Sequence, residues 1–229
     1  MKKIIIIIFI FISLQSLTKA DDIKDFEIEG ISIGDSLLDH FVKNEINSGL
    51  IFKYEDDKFY DLQLDMKNSV NWPVFAFSVK KKDNSFIIHA FNGGKFFDKI
   101  NKCEKKKEII VKDLTENFLN QVEIEKYTFT YKNLADGKSI SNIVDFIFKD
   151  GRVRVYCTDW SKETEIEFEY SDNLRLEIAT NNYLNWLDNE DRASVSCYDY
   201  SKEHSGKDNL TVGIQTKEQN EFLFNKAYK

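Results

Sequence analysis

Residues 140–160 read Ile-Ser-Asn-Ile-Val-Asp-Phe-Ile-Phe-Lys-Asp-Gly-Arg-Val-Arg-Val-Tyr-Cys-Thr-Asp-Trp. Two runs rich in β-branched and aromatic residues, 140–148 and 152–160, flank Lys149-Asp150-Gly151. Asp-Gly between such runs is a strong hairpin signal, because it suits the positive φ angles of a type I′ turn. The stretch therefore predicts an antiparallel pair, with 126–131 as a further strand of the same sheet. Strand alternation puts Val153, Val155 and Cys157 on one apolar face.

Working upstream, 98–119 is the clearest helix. Ile100, Cys103, Ile110, Leu114 and Phe118 fall on one stripe, and the Lys107 stem fills the gap between them. Lys99, Lys102, Lys105, Lys106 and Lys112 take the remaining surface, which reads as a solvated face rather than a lipid-binding one. Nearer the start, 26–30 reads as a short strand. Asp35-Ser36 opens a helix through Phe41, with Ser36 and Asp39 at capping-box spacing. Strands follow at 50–54, 58–64, 74–80 and 86–91, after which Asn92-Gly93-Gly94 reads as a break. Antiparallel strands in blocks with helices between them make the fold class α+β, antiparallel β-sheets with packed helices. The expected organisation is a signal peptide at 1–20 and an N-terminal helix with antiparallel strands at 21–92. The long helix and a second sheet follow at 93–191.

The tail repeats itself. Arg152-Val-Arg-Val-Tyr-Cys-Thr-Asp-Trp-Ser-Lys-Glu163 aligns with Arg192-Ala-Ser-Val-Ser-Cys-Tyr-Asp-Tyr-Ser-Lys-Glu203. Beyond a short deletion, Asp172-Asn173-Leu174, Ile178 and Thr180 align with Asp208-Asn209-Leu210, Ile214 and Thr216. Each copy reads as a strand-turn-strand-helix unit with an acidic turn. The first copy closes the 93–191 segment, and the second occupies 192–229. The structural reading is a duplicated unit that extends the sheet or builds a small extra lobe. The functional reading is a pair of equivalent binding turns, carried by Asp159 and Trp160 in one copy and Asp199 and Tyr200 in the other.

Composition bounds the function. The 229-residue chain has a formal net charge of −7, and removing Lys2, Lys3 and Lys19 with the signal makes the remainder more acidic. An acidic body argues against nucleic acid, which needs clustered positive charge. Lys2-Lys3, the apolar run Ile4–Leu14 and Thr18-Lys19-Ala20 form the expected export signal; retention as an N-terminal anchor stays open. No cysteine follows the run to accept a lipid, and no later stretch is apolar enough to span a membrane. The expected location is periplasmic or secreted.

Three cysteines in an oxidising compartment leave at least one unpaired within the chain. Cys103 on the helix stripe and Cys157 on the strand face are the favoured disulfide, with Cys197 the rival because it occupies the equivalent repeat position. No metal is expected, since the cysteines are far apart and His40, His89 and His204 do not cluster at ligand spacing. No cofactor motif and no recognised catalytic motif is present. His204-Ser205-Gly206-Lys207 reads as a turn, and His89 as a strand residue. Glu163, Glu165, Glu167 and Glu169 alternate with Thr164, Ile166, Phe168 and Tyr170, which reads as a solvated edge strand. Trp72, Trp160 and Trp186 read as core or rim residues rather than a sugar platform.

Gly30-Ile-Ser-Ile-Gly-Asp-Ser-Leu-Leu-Asp39, the Cys103 helix, Asp145-Phe-Ile-Phe-Lys-Asp-Gly151, Cys157-Thr-Asp-Trp-Ser161 and Asp172-Asn-Leu-Arg175 together resemble a group of uncharacterised exported proteins of AT-rich bacteria. Those relatives carry one copy of the C-terminal unit, so the second copy is a departure. Ile31-Ser-Ile-Gly-Asp-Ser-Leu37 with the strands after it also resembles the small envelope lipoproteins of barrel-assembly type and the β-lactamase-inhibitor-like fold. The expected function is an exported, non-catalytic binding or structural protein of the cell envelope, its partner an unknown envelope protein or ligand. The alternatives are a secreted hydrolase with an unrecognised site, or an inhibitor of a secreted enzyme.

Overall fold

The computed structural model describes residues 22–54, 58–66, 69, 71–118, 121–188 and 195–196. A 3-10 turn, Ile23–Asp25, leads into a small hairpin of β1 (Glu27–Ile28) and β2 (Ile31–Ser32). Two short helices follow, α1 (Leu37–His40) and α2 (Lys43–Ser48). The Ser36 hydroxyl caps α1 by accepting the Leu38 N–H at 3.1 Å, so the serine of the expected capping box does its part. Then come β3 (Leu50–Tyr54), β4 (Phe59–Asp65), β5 (Val74–Lys80) and β6 (Ile88–Phe96). The long helix α3 (Ile100–Phe118) precedes β7 (Glu123–Thr130), β8 (Ile140–Ile147) and β9 (Gly151–Asp159). The described chain ends with α4 (Lys162–Phe168), β10 (Asn173–Thr180), α5 (Asn181–Leu187) and the short β11 (Val195–Ser196).

The α+β class holds, but the strands form one large sheet where the sequence reading placed two blocks. Among the described residues its order is β11-β3-β4-β5-β6-β10-β9-β8-β7, nine strands, antiparallel throughout. The splice is β10, which crosses back after β9 to pair with β6, Arg175 standing opposite both Gly94 and Tyr156. One face is apolar. Leu62, Phe75, Phe77, Phe91, Val153, Val155, Cys157, Leu174 and Ile178 line it, and α3 and the N-terminal elements bury it.

Cys103 is bonded to Cys157, with their Cα atoms 6.0 Å apart. Both are fully buried, which follows from a helix stripe laid on a strand face of matching parity. The buried Lys107 of the same stripe donates from Nζ to the Asn142 carbonyl at 3.0 Å and pairs with Glu104 at 2.6 Å. Its charge is thereby satisfied while its stem fills the seam.

Three local expectations are corrected. Asn92-Gly93-Gly94 does not break the chain; it lies inside β6. The glycines serve close approach rather than a turn: a Cβ on Gly93 would stand 2.9 Å from the Trp72 ring, and one on Gly94 would stand 2.5 Å from Arg175 Nη1. The 149–151 hairpin forms, yet neither Asp150 nor Gly151 has a positive φ. Gly151 is needed because a Cβ there would meet the Ala179 carbonyl and the Ile23 side chain. Finally, Glu163–Glu169 is not an edge strand. Ser161 caps α4 by accepting the Thr164 N–H at 3.2 Å, and helical geometry then spreads the glutamates around an axis, with Glu163 and Glu165 in the first turn.

The segment read from sequence as the first repeat copy forms β9, α4, β10 and α5, with a helix where an acidic turn was expected. The segment read as the second copy, with Cys197, Asp199, Tyr200 and His204, lies outside the described residues except for β11. That strand pairs with β3 at an edge of the sheet.

Candidate functional site

Strand alternation that sends Leu174, Leu176 and Ile178 into the core sends Asn173, Arg175, Glu177 and Ala179 to the opposite face. Register places Tyr156 across from Arg175, Arg154 across from Glu177, and Asp145 across from Arg154. Asn92 and Gly94 of β6 complete the other side. This face is polar, and most of it is buried: Arg154 is 3%, Arg175 6% and Glu177 1% exposed. Tyr127, Arg152 and Tyr156 are half-buried.

Buried charge is tolerable only when paired and hydrogen-bonded. Arg154 meets that condition fully. Its Nε and Nη2 donate to the two oxygens of Asp145 at 2.7 and 2.8 Å, and Nη2 also donates to the Tyr127 hydroxyl at 2.7 Å. Burial opposes the Arg154 charge, but the Asp145 bonds and the Glu177 field outweigh it and hold its pKa above the ordinary value. Burial also raises Tyr127, to about 12. Arg152 pairs with Glu177 at 2.8 Å. Arg175 differs: it donates only to two neutral amide oxygens, Asn173 Oδ1 at 3.3 Å and Asn92 Oδ1 at 3.4 Å. Burial lowers its pKa, with Tyr156, Tyr131 and Glu177 opposing.

Two aromatic clusters wall this floor. On one side α5 lies over Ala90 and Ala179, packing Tyr183 and Trp186 against Tyr54 and Phe59, with Phe59 and Trp186 centroids 4.7 Å apart. The small alanines make room for the helix. Beneath it Asp61 accepts from Tyr54 at 2.6 Å, Ser78 at 2.5 Å and Tyr183 at 3.4 Å. Burial raises Asp61 to about 6 despite those bonds. On the other side Phe129, Tyr131, Ile143 and Tyr170 cluster, with Tyr156, Trp160 and Phe168 packed on them. Hydroxyl contacts tie this wall down, Tyr131 to Ser141 at 2.9 Å and Ser141 to Thr158 at 2.7 Å.

The residues singled out from sequence fall as follows. Trp160 belongs to the second wall, its ring 5.0 Å from Tyr131 and 4.9 Å from Tyr170, and its backbone N–H donates to Asp172 Oδ1 at 3.1 Å. Asp159 is half-buried at the end of β9, its carboxyl raised by burial and by Glu165 and Glu104. Asp199 and Tyr200 lie outside the described residues. Trp72 and Trp186 are core residues, and His89 is a half-buried strand residue edge-on to Phe59. A separate surface groove of about 280 Å³ is lined by Phe41, Glu45, Ser48, Gly49, Leu50, Gln63 and Leu64, and Asp61 is not part of it. Among the described residues no cluster of His, Cys, Asp and Glu could hold a metal ion, and no helix is long and apolar enough to cross a membrane.

The sequence reading missed Arg175, Glu177, Asp145, Asn92 and Asp61. The signal was present, as polar residues at every second position of 173–177 and 152–156, but such alternation ordinarily marks a solvated face. No protein-family model, no curated protein and no solved structure matches the chain.

Proposed function

We propose that this is an exported, non-catalytic binding or structural protein of the cell envelope, and that its partner docks on the polar face of the sheet. The observation that carries the reading is the build of that face: a charged floor fixed by strand register between two aromatic walls. Four of its ionisable groups are locked in pairs, Arg154 with Asp145 and Arg152 with Glu177, which suits recognition better than proton transfer. A hydrolase asks for a perturbed acid inside a cleft. Asp61 is the strongest such acid on this face, yet it is 1% exposed and capped by two tyrosines. The Cys103–Cys157 bond supports an oxidising compartment and hence export. The 152–189 and 192–225 alignment supports a duplicated tail.

A photo-crosslinking residue placed at Tyr156 or Trp160 tests the reading, with Ile109 on the exposed side of α3 as the control. In exporting cells the first two positions yield a discrete adduct and Ile109 does not. Adducts from Ile109 alone, or from none of the three while the purified protein turns over a generic hydrolase substrate, overturn it.

A further inference from the structure

We propose that Arg175 is a carboxylate receptor at the centre of the polar face, with the Tyr156 hydroxyl as its second donor. The inference rests on the binding reading above and names the chemistry that reading leaves open.

A buried guanidinium carries five donors and cannot shed its charge, so it normally finds a carboxylate. Arg154, one strand away, has found one in bidentate geometry. Arg175 has not. Among the described residues no carboxylate lies within ion-pair distance of it. The two carboxylates nearest in register are already taken, Glu177 by Arg152 and Asp145 by Arg154. Its own two bonds, at 3.3 and 3.4 Å, lie beyond the usual N–H···O range and go to uncharged oxygens.

The seat is nonetheless built. Gly94 stands directly across β6 from Arg175, and the guanidinium lies in the space its missing side chain leaves, 2.5 Å (Nη1) and 3.0 Å (Cζ) from where a Cβ would be. Any other residue at 94 displaces the group. On the β9 side the paired Tyr156 is half-buried, and among the described residues its hydroxyl has no hydrogen bond. A ligand reaching past the Tyr156 ring meets two kinds of donor, a planar fork and a hydroxyl, which together match the oxygens of one carboxylate.

Charge selects the ligand class. On β8, β9 and β10, Arg152, Arg154 and Arg175 face Asp145 and Glu177, leaving one positive charge there; Asp61 stands on the same face but on β4, three strands from β10. A singly charged carboxylate cancels it. A phosphate dianion leaves a surplus negative charge beside Glu177, which a low-dielectric site penalises. The carboxylate can belong to a small organic acid or to a peptide of the partner; the recognition chemistry is the same.

The test follows the Arg Nε–H resonances of the full chain by NMR, with the Arg175 signal assigned through Arg175→Lys. Propionate, inorganic phosphate, a capped peptide with one Asp and the matching Asn peptide are titrated at constant ionic strength. The Arg175 signal should shift saturably with propionate or the Asp peptide and not with phosphate or the Asn peptide. Affinity, read by calorimetry because the Arg175→Lys variant has no Arg175 signal, should fall about tenfold in Arg175→Lys, which keeps the charge but loses the fork, and severalfold in Tyr156→Phe. Propionate binding as tightly as the Asp peptide identifies a free acid as ligand; binding of the peptide alone identifies the partner's side chain. Unchanged affinity in both variants, phosphate binding as tight as carboxylate, or no saturable shift with any probe overturns the proposal. Crosslinks from Tyr156 that persist through such a failure leave the binding reading standing and remove only Arg175 from it.

Discussion

Asp61 should make the fold lose stability as the solution becomes neutral. Its carboxyl is 1% exposed and accepts from the Tyr54, Ser78 and Tyr183 hydroxyls, with Glu177 the carboxylate whose field reaches it. The hydroxyl bonds favour the charged form, but burial costs more, and the pKa rises from 3.8 to about 6. A group whose folded pKa is raised holds its proton more tightly when folded. Its stabilisation is therefore complete below the unfolded pKa and is lost as pH climbs through the folded one. The two values differ by roughly two units, which at 1.36 kcal/mol each amounts to ~3 kcal/mol. Asp150, Asp159 and Asp172 are raised in the same direction and Asp22 is lowered, so wild-type data alone mix several groups. The clean quantity is a difference. Asp61→Asn keeps the shape and cannot ionise, so urea unfolding of wild type and variant should give a ΔΔG that drifts by ~3 kcal/mol in favour of the variant between about pH 3 and about pH 8. A ΔΔG flat across that range, within the few tenths typical of such measurements, would refute the reasoning. It would mean that the hydroxyl cage compensates the charge in full.

The Cys103–Cys157 bond closes a sequence separation of 54 residues, so reducing it should cost ~4 kcal/mol in urea titration on the chain-entropy estimate. Non-reducing peptide mass spectrometry should recover that pair with Cys197 outside it. Asp145→Ala strands the buried Arg154 guanidinium and should destabilise by about 3–5 kcal/mol, a loss that Arg154→Met in the same chain partly restores. Gly93→Ala places a methyl 2.9 Å from the Trp72 ring inside β6 and should cost about 1–3 kcal/mol, with a change in near-ultraviolet circular dichroism; a neutral result would return 92–94 to a loop.

What the sequence disclosed and what it hid divide along a physical line. The α3 stripe and the β9 parity could be read because both elements bury one face against a common core, and period alone then says which residues meet. Cys103 and Cys157 are legible that way, and in the fold they are bonded. The glycines at 93 and 94 misled because glycine has two uses, freedom of φ and absence of a Cβ. Only the ring of Trp72 and the guanidinium of Arg175, from distant parts of the chain, decide between them. The glutamate alternation at 163–169 misled for a related reason. Seven residues are too few for period to separate strand from helix, and the Ser161 cap that settles it is a single hydroxyl.

The polar face was hidden more deeply. Arg-Val-Arg-Val-Tyr at 152–156 and Asn-Leu-Arg-Leu-Glu at 173–177 are what a half-solvated antiparallel sheet looks like, and nothing local says that these arginines are buried. Burial comes from α5 and the Tyr131–Tyr170 cluster closing over a nine-stranded sheet whose central splice, β10 beside β6, joins residues about eighty positions apart. Once that splice is made, the charges must be matched across strands, and they are matched with one left over. A sheet built only for stability gains nothing from a third arginine in that position, since an apolar residue of similar size avoids the desolvation cost altogether. Arg175, seated on a glycine and facing a bare tyrosine hydroxyl, is therefore the point on this face where the cost of burial has no structural return within the described fold.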